Sequence, residues 1–508
     1  MLLAASFPKF GHPAFAWIAL SPLIVAIVLT GASGARQLRR QFLLAASTGF
    51  VWFAGMLYWV VGTMAAYGGL PGWVAFLVGV LMWAYLAIYV GLFGVFLGAA
   101  VRRFGVAGVW LAPVSWVASE WIRSTNGGGF PWGMLGASQA RVLPVVQLAS
   151  VTGIYGLSAL VALVSAAAAA LALSRRRSHV VGAVLVGVLL VIVAGGGALR
   201  IASGELTRRG EVIRVGIVQG SIDLLEQWDA GARNAILARY LTLSQRAIDA
   251  GAALVFWPES STPFYFDAEG ALAEPVRKLA AVSHTAFIIG TDEFQYGPGG
   301  QGERIFNTAV VVGRDGKSHG TYRKMRLVPF GEFVPFKRLL FFVGPLVQSV
   351  SDFTAGTDPV VLDADGVHVG VAICYESMFT WIDRDFVLRG ADLLSTITND
   401  AWFGRSSAPY QHFDQGAIRA VEEGRYVVRA ANTGISGAVD PYGRVLVQTP
   451  LFEPREITVD VRLLEGRTIY SLIGDVVAWA ALGITALVIV SALLSGPRPM
   501  APGPTLEQ

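Results

Sequence analysis

Residues Val369–Ser377 read Val-Gly-Val-Ala-Ile-Cys-Tyr-Glu-Ser, an apolar run that ends in a cysteine, a tyrosine and a glutamate. A short, continuous, β-branched run of this kind suits a strand buried on both faces. The end of such a strand is where an α/β sheet presents side chains to a ligand. Two other stretches finish the same way. Leu254–Ser260 (LVFWPES) runs into Trp257-Pro258-Glu259, and Tyr322–Phe336 (YRKMRLVPFGEFVPF) carries Lys324 and Glu332. Further strand candidates are Arg214–Gln219, Ala253–Trp257, Ala286–Gly290, Phe306–Val312, Val367–Ile373, Leu393–Thr398, Ser436–Asp440 and Ile457–Val461. Helical patterns cover Ala230–Ala250, Leu272–Ser283, Phe379–Arg389 and Gln411–Arg429. Alternation of the two predicts an α/β domain over residues 208–467. No Gly-rich phosphate fingerprint follows any strand, so nucleotide binding is not indicated.

The rest of the chain has a different character. Of 508 residues, 54% are hydrophobic and 15% charged, where a soluble protein carries about a quarter charged; mean hydropathy is +0.56. A helix needs about 20 mostly apolar residues to cross a bilayer, and seven stretches are candidates: Ala14–Leu29, Phe42–Val61, Trp73–Ala99, Val106–Trp121, Val145–Leu173, Val180–Ala198 and Leu472–Leu494. This predicts a membrane domain over residues 1–200, a returning helix over 472–494 and a tail over 495–508. Met1–Phe7 is too short to cross and lacks the charged n-region and cleavage site of a signal peptide. Basic residues cluster at Arg36, Arg39 and Arg40, at Arg102 and Arg103, at Arg175–Arg177 and at Arg498. Threading seven spans puts all four clusters on one face. Cytoplasmic loops carry the Lys/Arg excess, so residues 208–467 are expected outside the cytoplasm and the tail inside. The net charge of +4 is small, and these clusters read as topology determinants rather than a nucleic-acid surface. Glu120 and Arg123, a turn apart near a span end, fit a structural pair better than a lipid-headgroup contact.

With one cysteine in the chain, no internal disulfide is possible and no cysteine-based metal site is suggested. A lone cysteine is usually a small buried hydrophobe, and a lone Lys or Glu a solvated charge. Together, Glu259, Lys324 and Cys374 supply a base, an oxyanion partner and a nucleophile from three strand ends, the set needed for acyl chemistry on a thiolate. Of the six histidines, His412 is the best candidate for a Cys/His pairing, although a satisfied polar contact or a substrate-loop role suits its helical position better.

These contexts resemble a family. Trp257-Pro258-Glu259, then Tyr322-Arg323-Lys324 leading to Pro329-Phe330-Gly331-Glu332, then Ile373-Cys374-Tyr375-Glu376, are similar to the motifs of the nitrilase superfamily. That resemblance implies an αββα sandwich with a Glu-Lys-Cys triad. Asn399-Asp400-Ala401-Trp402-Phe403-Gly404, Pro409-Tyr410-Gln411-His412 and, in the membrane part, Gly129-Phe130-Pro131-Trp132 narrow it to the apolipoprotein N-acyltransferases. The implied fold is a polytopic α-helical membrane domain plus a nitrilase-like αββα domain. Glu259 would be the general base, Lys324 the oxyanion stabiliser and Cys374 the nucleophile, with Glu332, Glu376 and Tyr375 in support and Trp228 at the substrate. The implied partners are a phospholipid acyl donor, a diacylglyceryl-modified apolipoprotein acceptor and the membrane itself, with no nucleic acid and no cofactor. The implied location is the bacterial inner membrane, with the catalytic domain periplasmic. Members of this family typically open with one more spanning helix than this sequence offers.

Two apolar stretches, Pro263–Phe266 and Leu339–Val347, fit membrane or lipid contact, or else pack on the domain core; Phe341 and Phe342 are the candidates for lipid contact. Two alternatives share the same residues: a membrane-tethered amidase in which water resolves the thioester, and a transporter or receptor with an inactive nitrilase-like sensor. The intact triad argues against the second.

Overall fold

The structure, a computed structural model, describes residues 1–9, 11–30, 35–227, 229, 231–296, 303–329, 331–333 and 353–494. The chain divides into two compact units. One comprises Met1–Tyr58, Phe76–Leu199 and the segment from Asp475, and the other Trp59–Ala75 with Arg200–Gly474.

The first unit is helical, and all seven apolar stretches lie largely in helix. Among the described residues, four runs are long and apolar enough to cross a membrane, Gly72–Gly128, Ala149–Leu173, Arg177–Thr207 and Val476–Leu494, or five counting one bent pair. The difference from seven separate spans has three sources. Pro13–Leu29 is a shorter apolar helix, and Phe42–Val61 is broken, with Arg36–Met56 and Trp59–Ala66 inclined by 55°. The third and fourth stretches join through a 3-10 turn, Gly105–Leu111, into one run of 57 residues. At 1.5 Å per residue that run holds enough helix for more than one crossing of a roughly 30 Å hydrocarbon layer.

At its end and beyond, Gly127, Gly128, Gly129 and Gly133 all have positive φ. Buried non-helical backbone needs hydrogen-bond partners, and Arg123 and Glu120 provide them. Arg123 donates to the carbonyls of Phe130 (2.7 Å) and Trp132 (2.6 Å), and Glu120 Oε1 accepts from the Leu135 amide at 2.7 Å. Both side chains are buried, which favours the structural reading over a headgroup contact.

The second unit holds twelve strands among the described residues: β1 (Val212–Gln219), β2 (Leu254–Phe256), β3 (Ala286–Tyr296), β4 (Glu303–Val312), β5 (Ser318–Arg323), β6 (Leu362–Asp363), β7 (His368–Ile373), β8 (Leu393–Thr398), β9 (Val427–Ala431), β10 (Gly437–Val439), β11 (Val445–Gln448) and β12 (Arg455–Arg462). They form two six-stranded sheets, ordered β12-β1-β2-β3-β4-β5 and β11-β10-β9-β8-β7-β6. In each, a parallel trio (β1-β2-β3, β7-β8-β9) is flanked by antiparallel strands. The sheets meet through polar as well as apolar groups: Gln219 Oε1 accepts from Ser436 (2.6 Å) and Thr449 (2.8 Å).

Helices cover the outer faces. On α2 (Arg233–Asp249), Ile236, Leu237, Tyr240, Leu243 and Ala247 recur at three- and four-residue spacing and are buried, the stripe an amphipathic helix turns to a core. They join Ala273, Val276 and Ala280 of α3 (Gly270–Ser283) against Trp257 and Phe287 of the first sheet. Helices α4 (Thr380–Leu388) and α5 (Ala408–Glu423) lie on the second sheet. The layering is αββα. A further helix of this unit, α1 (Trp59–Ala66), packs on the Asp400–Phe403 turn: Thr63 donates to the Trp402 carbonyl at 2.8 Å, and the Trp59 ring stands edge-on to Phe403 at 4.9 Å.

The helix expected over Gln411–Arg429 begins earlier, at Ala408, and stops at Glu423. Gly424, at φ +65°, caps it by donating its amide to the Ala420 carbonyl, the left-handed glycine stop. The chain then turns into β9, so Arg429 belongs to a strand.

Candidate active site

Cys374 follows β7 directly and opens a short 3-10 turn, Cys374–Met378. Its φ is +54°, a left-handed conformation that costs a non-glycine residue roughly 1–2 kcal/mol. Enclosure of the sulfur pushes the thiol pKa up and the negative charge of Glu259 adds to this, while Lys324 and a hydrogen bond with Thr398 pull the other way.

Lys324 follows β5 and is almost completely buried. Its Nζ lies 2.8 Å from Glu259 Oε1 and 2.7 Å from Glu332 Oε1. Burial alone would drive the ammonium toward its neutral form, but the two carboxylates and Cys374 outweigh that and hold its pKa well above the ordinary lysine value. Asn307, from the middle of β4, donates to Glu259 Oε1 (2.7 Å) and Glu332 Oε1 (3.3 Å). The free oxygen of each carboxylate takes a backbone amide, Asn399 on Glu259 (2.8 Å) and Val328 on Glu332 (2.7 Å).

Glu259 sits on the turn after β2, and the close approach of that turn to β3 requires Gly290. A Cβ there would stand 2.1 Å from the Pro258 carbonyl oxygen and 2.6 Å from the Glu259 Cα. Beside it, the Ser260 hydroxyl donates to Asp292 (2.7 Å), whose carboxyl is pushed up to about 7 by burial and by Glu259 and Glu332.

Glu376 is buried and ties the two halves of the site together. Its Oε1 accepts from the Tyr322 hydroxyl (2.9 Å) and the amides of Met325 (2.6 Å) and Arg326 (3.1 Å), and its Oε2 from the Ile373 amide (2.8 Å). One carboxylate thus bridges the backbone just before Cys374 and the backbone just after Lys324. Burial pushes its pKa up to about 7. The Tyr375 side chain is buried edge-on to Phe379 at 5.1 Å.

The structure therefore brings together Glu259, Lys324, Glu332, Cys374 and Glu376, from three stretches far apart in sequence. Trp228, Phe341 and Phe342 lie outside the described residues, as does the stretch Leu339–Val347. The other apolar stretch packs inward, with Phe264 and Phe266 buried in the core beneath α2 and α3. Sequence reading did not single out Asn307, Thr398 or Arg429. Asn307 had a visible signature, a lone amide in the apolar run Ile305–Val312. Among the described residues no group of three or more His, Cys, Asp and Glu side chains is arranged to hold a metal ion.

Comparison with known proteins follows the same division. Residues 214–469 match the carbon-nitrogen hydrolase family and residues 1–167 the apolipoprotein N-acyltransferase N-terminal domain. Curated apolipoprotein N-acyltransferases resemble the chain over nearly its whole length. That of Geobacter metallireducens is 38% identical over 96% of this chain and 92% of the relative. That of Methylococcus capsulatus is 32% identical over 96% and 93%, and that of Vibrio cholerae 30% over 92% and 91%. Among solved structures, an amidase from Nesterenkonia sp. is 22% identical over 50% of this chain and 92% of that one, with a TM-score of 0.37.

Proposed function

The chain belongs to the apolipoprotein N-acyltransferase family, and from that premise we propose that it carries an acyl chain from a membrane phospholipid, through a thioester on Cys374, to the free α-amine of a diacylglyceryl-modified lipoprotein cysteine. The observation that carries this reading is the buried Lys324 ammonium held between two carboxylates and in electrostatic reach of the Cys374 thiol. A permanent positive charge at that place suits an oxyanion more than a resting thiol.

In the first half-reaction Glu259 takes the thiol proton as sulfur attacks the ester carbonyl carbon, and the carbonyl oxygen becomes an oxyanion against Lys324. The tetrahedral intermediate collapses, the ester C–O bond breaks, and the leaving lysophospholipid oxygen receives the proton from Glu259. In the second half-reaction the lipoprotein amine attacks the thioester carbonyl. Glu259 takes the amine proton and returns it to the departing sulfur. Glu332, with Asn307, keeps Lys324 and Glu259 in register, and Glu376 keeps Cys374 in register with Lys324. Trp228, Phe341 and Phe342 are assigned to the lipid substrates, and Tyr375 to a supporting role beside Cys374.

Residues 208–467 are assigned as the catalytic domain on the periplasmic side of a bacterial inner membrane, with residues 1–200 and 472–494 in the membrane and 495–508 cytoplasmic. The one-sided Arg clusters support that orientation.

The test is intact-mass analysis of the purified protein in detergent with phospholipid. A gain of one acyl chain, removed by hydroxylamine and absent from Cys374→Ala, is expected. No adduct with any phospholipid would overturn the transfer reading.

A further inference from the structure

The left-handed backbone at Cys374 persists only if its surroundings over-determine it, and the contacts that do so are specific. On the amide side, Glu376 holds the Ile373 N–H. On the carbonyl side, the Cys374 oxygen accepts from the Ser377 hydroxyl (3.0 Å) and lies 3.1 Å from His412 Nε2. A carbonyl only accepts, so this contact requires a proton on Nε2; the Ser377 hydroxyl, its own proton spent on the same carbonyl, lies 3.1 Å from Nε2 and shares that proton as an acceptor. His412 approaches the backbone of the nucleophile rather than its sulfur, which makes it a brace and not a second base.

The imidazole is itself fixed. It is completely buried on α5, with Asp400 Oδ1 at 3.0 Å and an Arg429 Nη at 2.9 Å from Nδ1. Arg429, on β9, also donates to Asp400 Oδ2 (2.9 Å), and the Thr398 hydroxyl donates to Asp400 Oδ1 (3.0 Å). Asp400 fits only because residue 434 is glycine: a Cβ there would stand 2.2 Å from Asp400 Oδ2. Burial and the Arg429 charge lower the imidazole pKa; with the proton on Nε2, Nδ1 accepts from Arg429, and Asp400 acts on the ring through its hold on Arg429. Phe403 stands edge-on to the imidazole at 6.2 Å and to Trp59 at 4.9 Å, while Trp59 Nε1 donates to Gln411, the residue before His412, at 3.3 Å. A continuous line of contacts runs from α1 to the nucleophile backbone.

We propose that His412 is a positioning residue: its Nε2–H, oriented by Arg429, which donates to Nδ1 and is itself held by Asp400, holds the Cys374 carbonyl and so keeps the thiol aimed at Glu259 and Lys324. The proposal rests on Cys374 being the nucleophile of the reaction above.

The experiment uses the full-length protein in phospholipid–detergent micelles, with thioester formation followed by rapid quench and intact mass. His412→Leu removes the donor. It should slow the step by about 10²-fold, the scale of a misplaced reacting group, with the half-saturating phospholipid concentration unchanged. His412→Gln places an amide N–H near the same point and should recover most of the rate, whereas the shorter His412→Asn should not. The Gln/Asn pair decides the matter even if His412→Leu does not fold. Equal rates for Gln and Asn, a wild-type rate in Leu, or an effect confined to half-saturation would overturn the proposal. Alkylation of Cys374 by iodoacetamide, which needs no lipid, should rank the variants in the same order. If the wild type forms no thioester, the transfer reading fails, and the alkylation series still decides whether His412 positions the thiol.

Discussion

Glu376→Gln tests whether the link between Cys374 and Lys324 matters to the rate. The carboxylate receives four donors, three on Oε1 and one on Oε2. An amide offers one oxygen. Its least costly orientation keeps that oxygen toward Tyr322, Met325 and Arg326 and turns the NH2 toward Ile373, leaving a buried N–H facing another N–H. An unsatisfied buried donor costs about 1–3 kcal/mol, and the three surviving bonds lose the strengthening of an ionised acceptor. A total of about 2–3 kcal/mol follows. If it falls wholly on the transition state, thioester formation slows by roughly 30- to 150-fold. The assay is single-turnover acylation by intact mass, alongside thermal unfolding in the same detergent. A rate within threefold of wild type, at an unchanged unfolding midpoint, would refute the idea that Glu376 keeps nucleophile and lysine in register.

Glu259→Gln and Lys324→Ala are each expected to lower N-acylation by about 10²-fold or more while leaving the protein folded; near-normal turnover in either removes that residue from the mechanism. Gly290→Ala should displace the Glu259 turn, with acylation falling further than the unfolding midpoint; an unaltered rate would mean the turn accommodates a methyl group. Asp383 and Glu423 are buried beside the Arg419–Glu422 pair, and burial pushes both carboxyls up to about 7. Raised folded-state values mean stability that is fully present below the unfolded value near 4 and lost as pH rises through about 7. Asp383→Asn should therefore raise the unfolding midpoint more at pH 8 than at pH 5, and an equal change at both would contradict this. Phe341→Ser with Phe342→Ser should slow thioester formation from phospholipid; an unchanged rate and yield would discard the lipid-contact assignment.

What the sequence disclosed and what it hid follow from how each element is stabilised. Strands buried on both faces, such as Leu393–Thr398, announce themselves as unbroken apolar runs, and that one has the bounds expected from the sequence. Strand Val427–Ala431 did not. It follows α5 after a short turn and carries Arg429, so its residues continue a helical pattern until Gly424 is read as a left-handed stop. The edge strands β6 and β11 are two and four residues long, too short for periodicity to register. Glu259 and Cys374 were legible because each stands just after the end of an apolar strand, in a local motif; Lys324 follows the polar strand β5, and it and Glu332 were legible through their motif alone. Asp400 was visible as part of the Asn399–Gly404 motif, but its link to Arg429 and His412 was not, because the three lie on a turn, a strand and a helix that only packing brings together. In the membrane unit, composition marked the apolar stretches but not how they join. The bend after Met56 and the merger of Trp73–Ala99 with Val106–Trp121 depend on backbone geometry that hydropathy does not encode.

The chain contains one sulfur nucleophile and no other thiol, so counting sulfhydryls counts active centres. Thiol titration of denatured protein after hydroxylamine treatment, which frees any acylated sulfur, gives the total number of sites in a preparation. Hydroxylamine-sensitive mass gives the number occupied by acyl chain at any moment. Their ratio is an occupancy that needs no separate standard, calibrated by the molecule itself. That ratio, followed with the acceptor amine absent and then added, separates loading from discharge without mutating a residue.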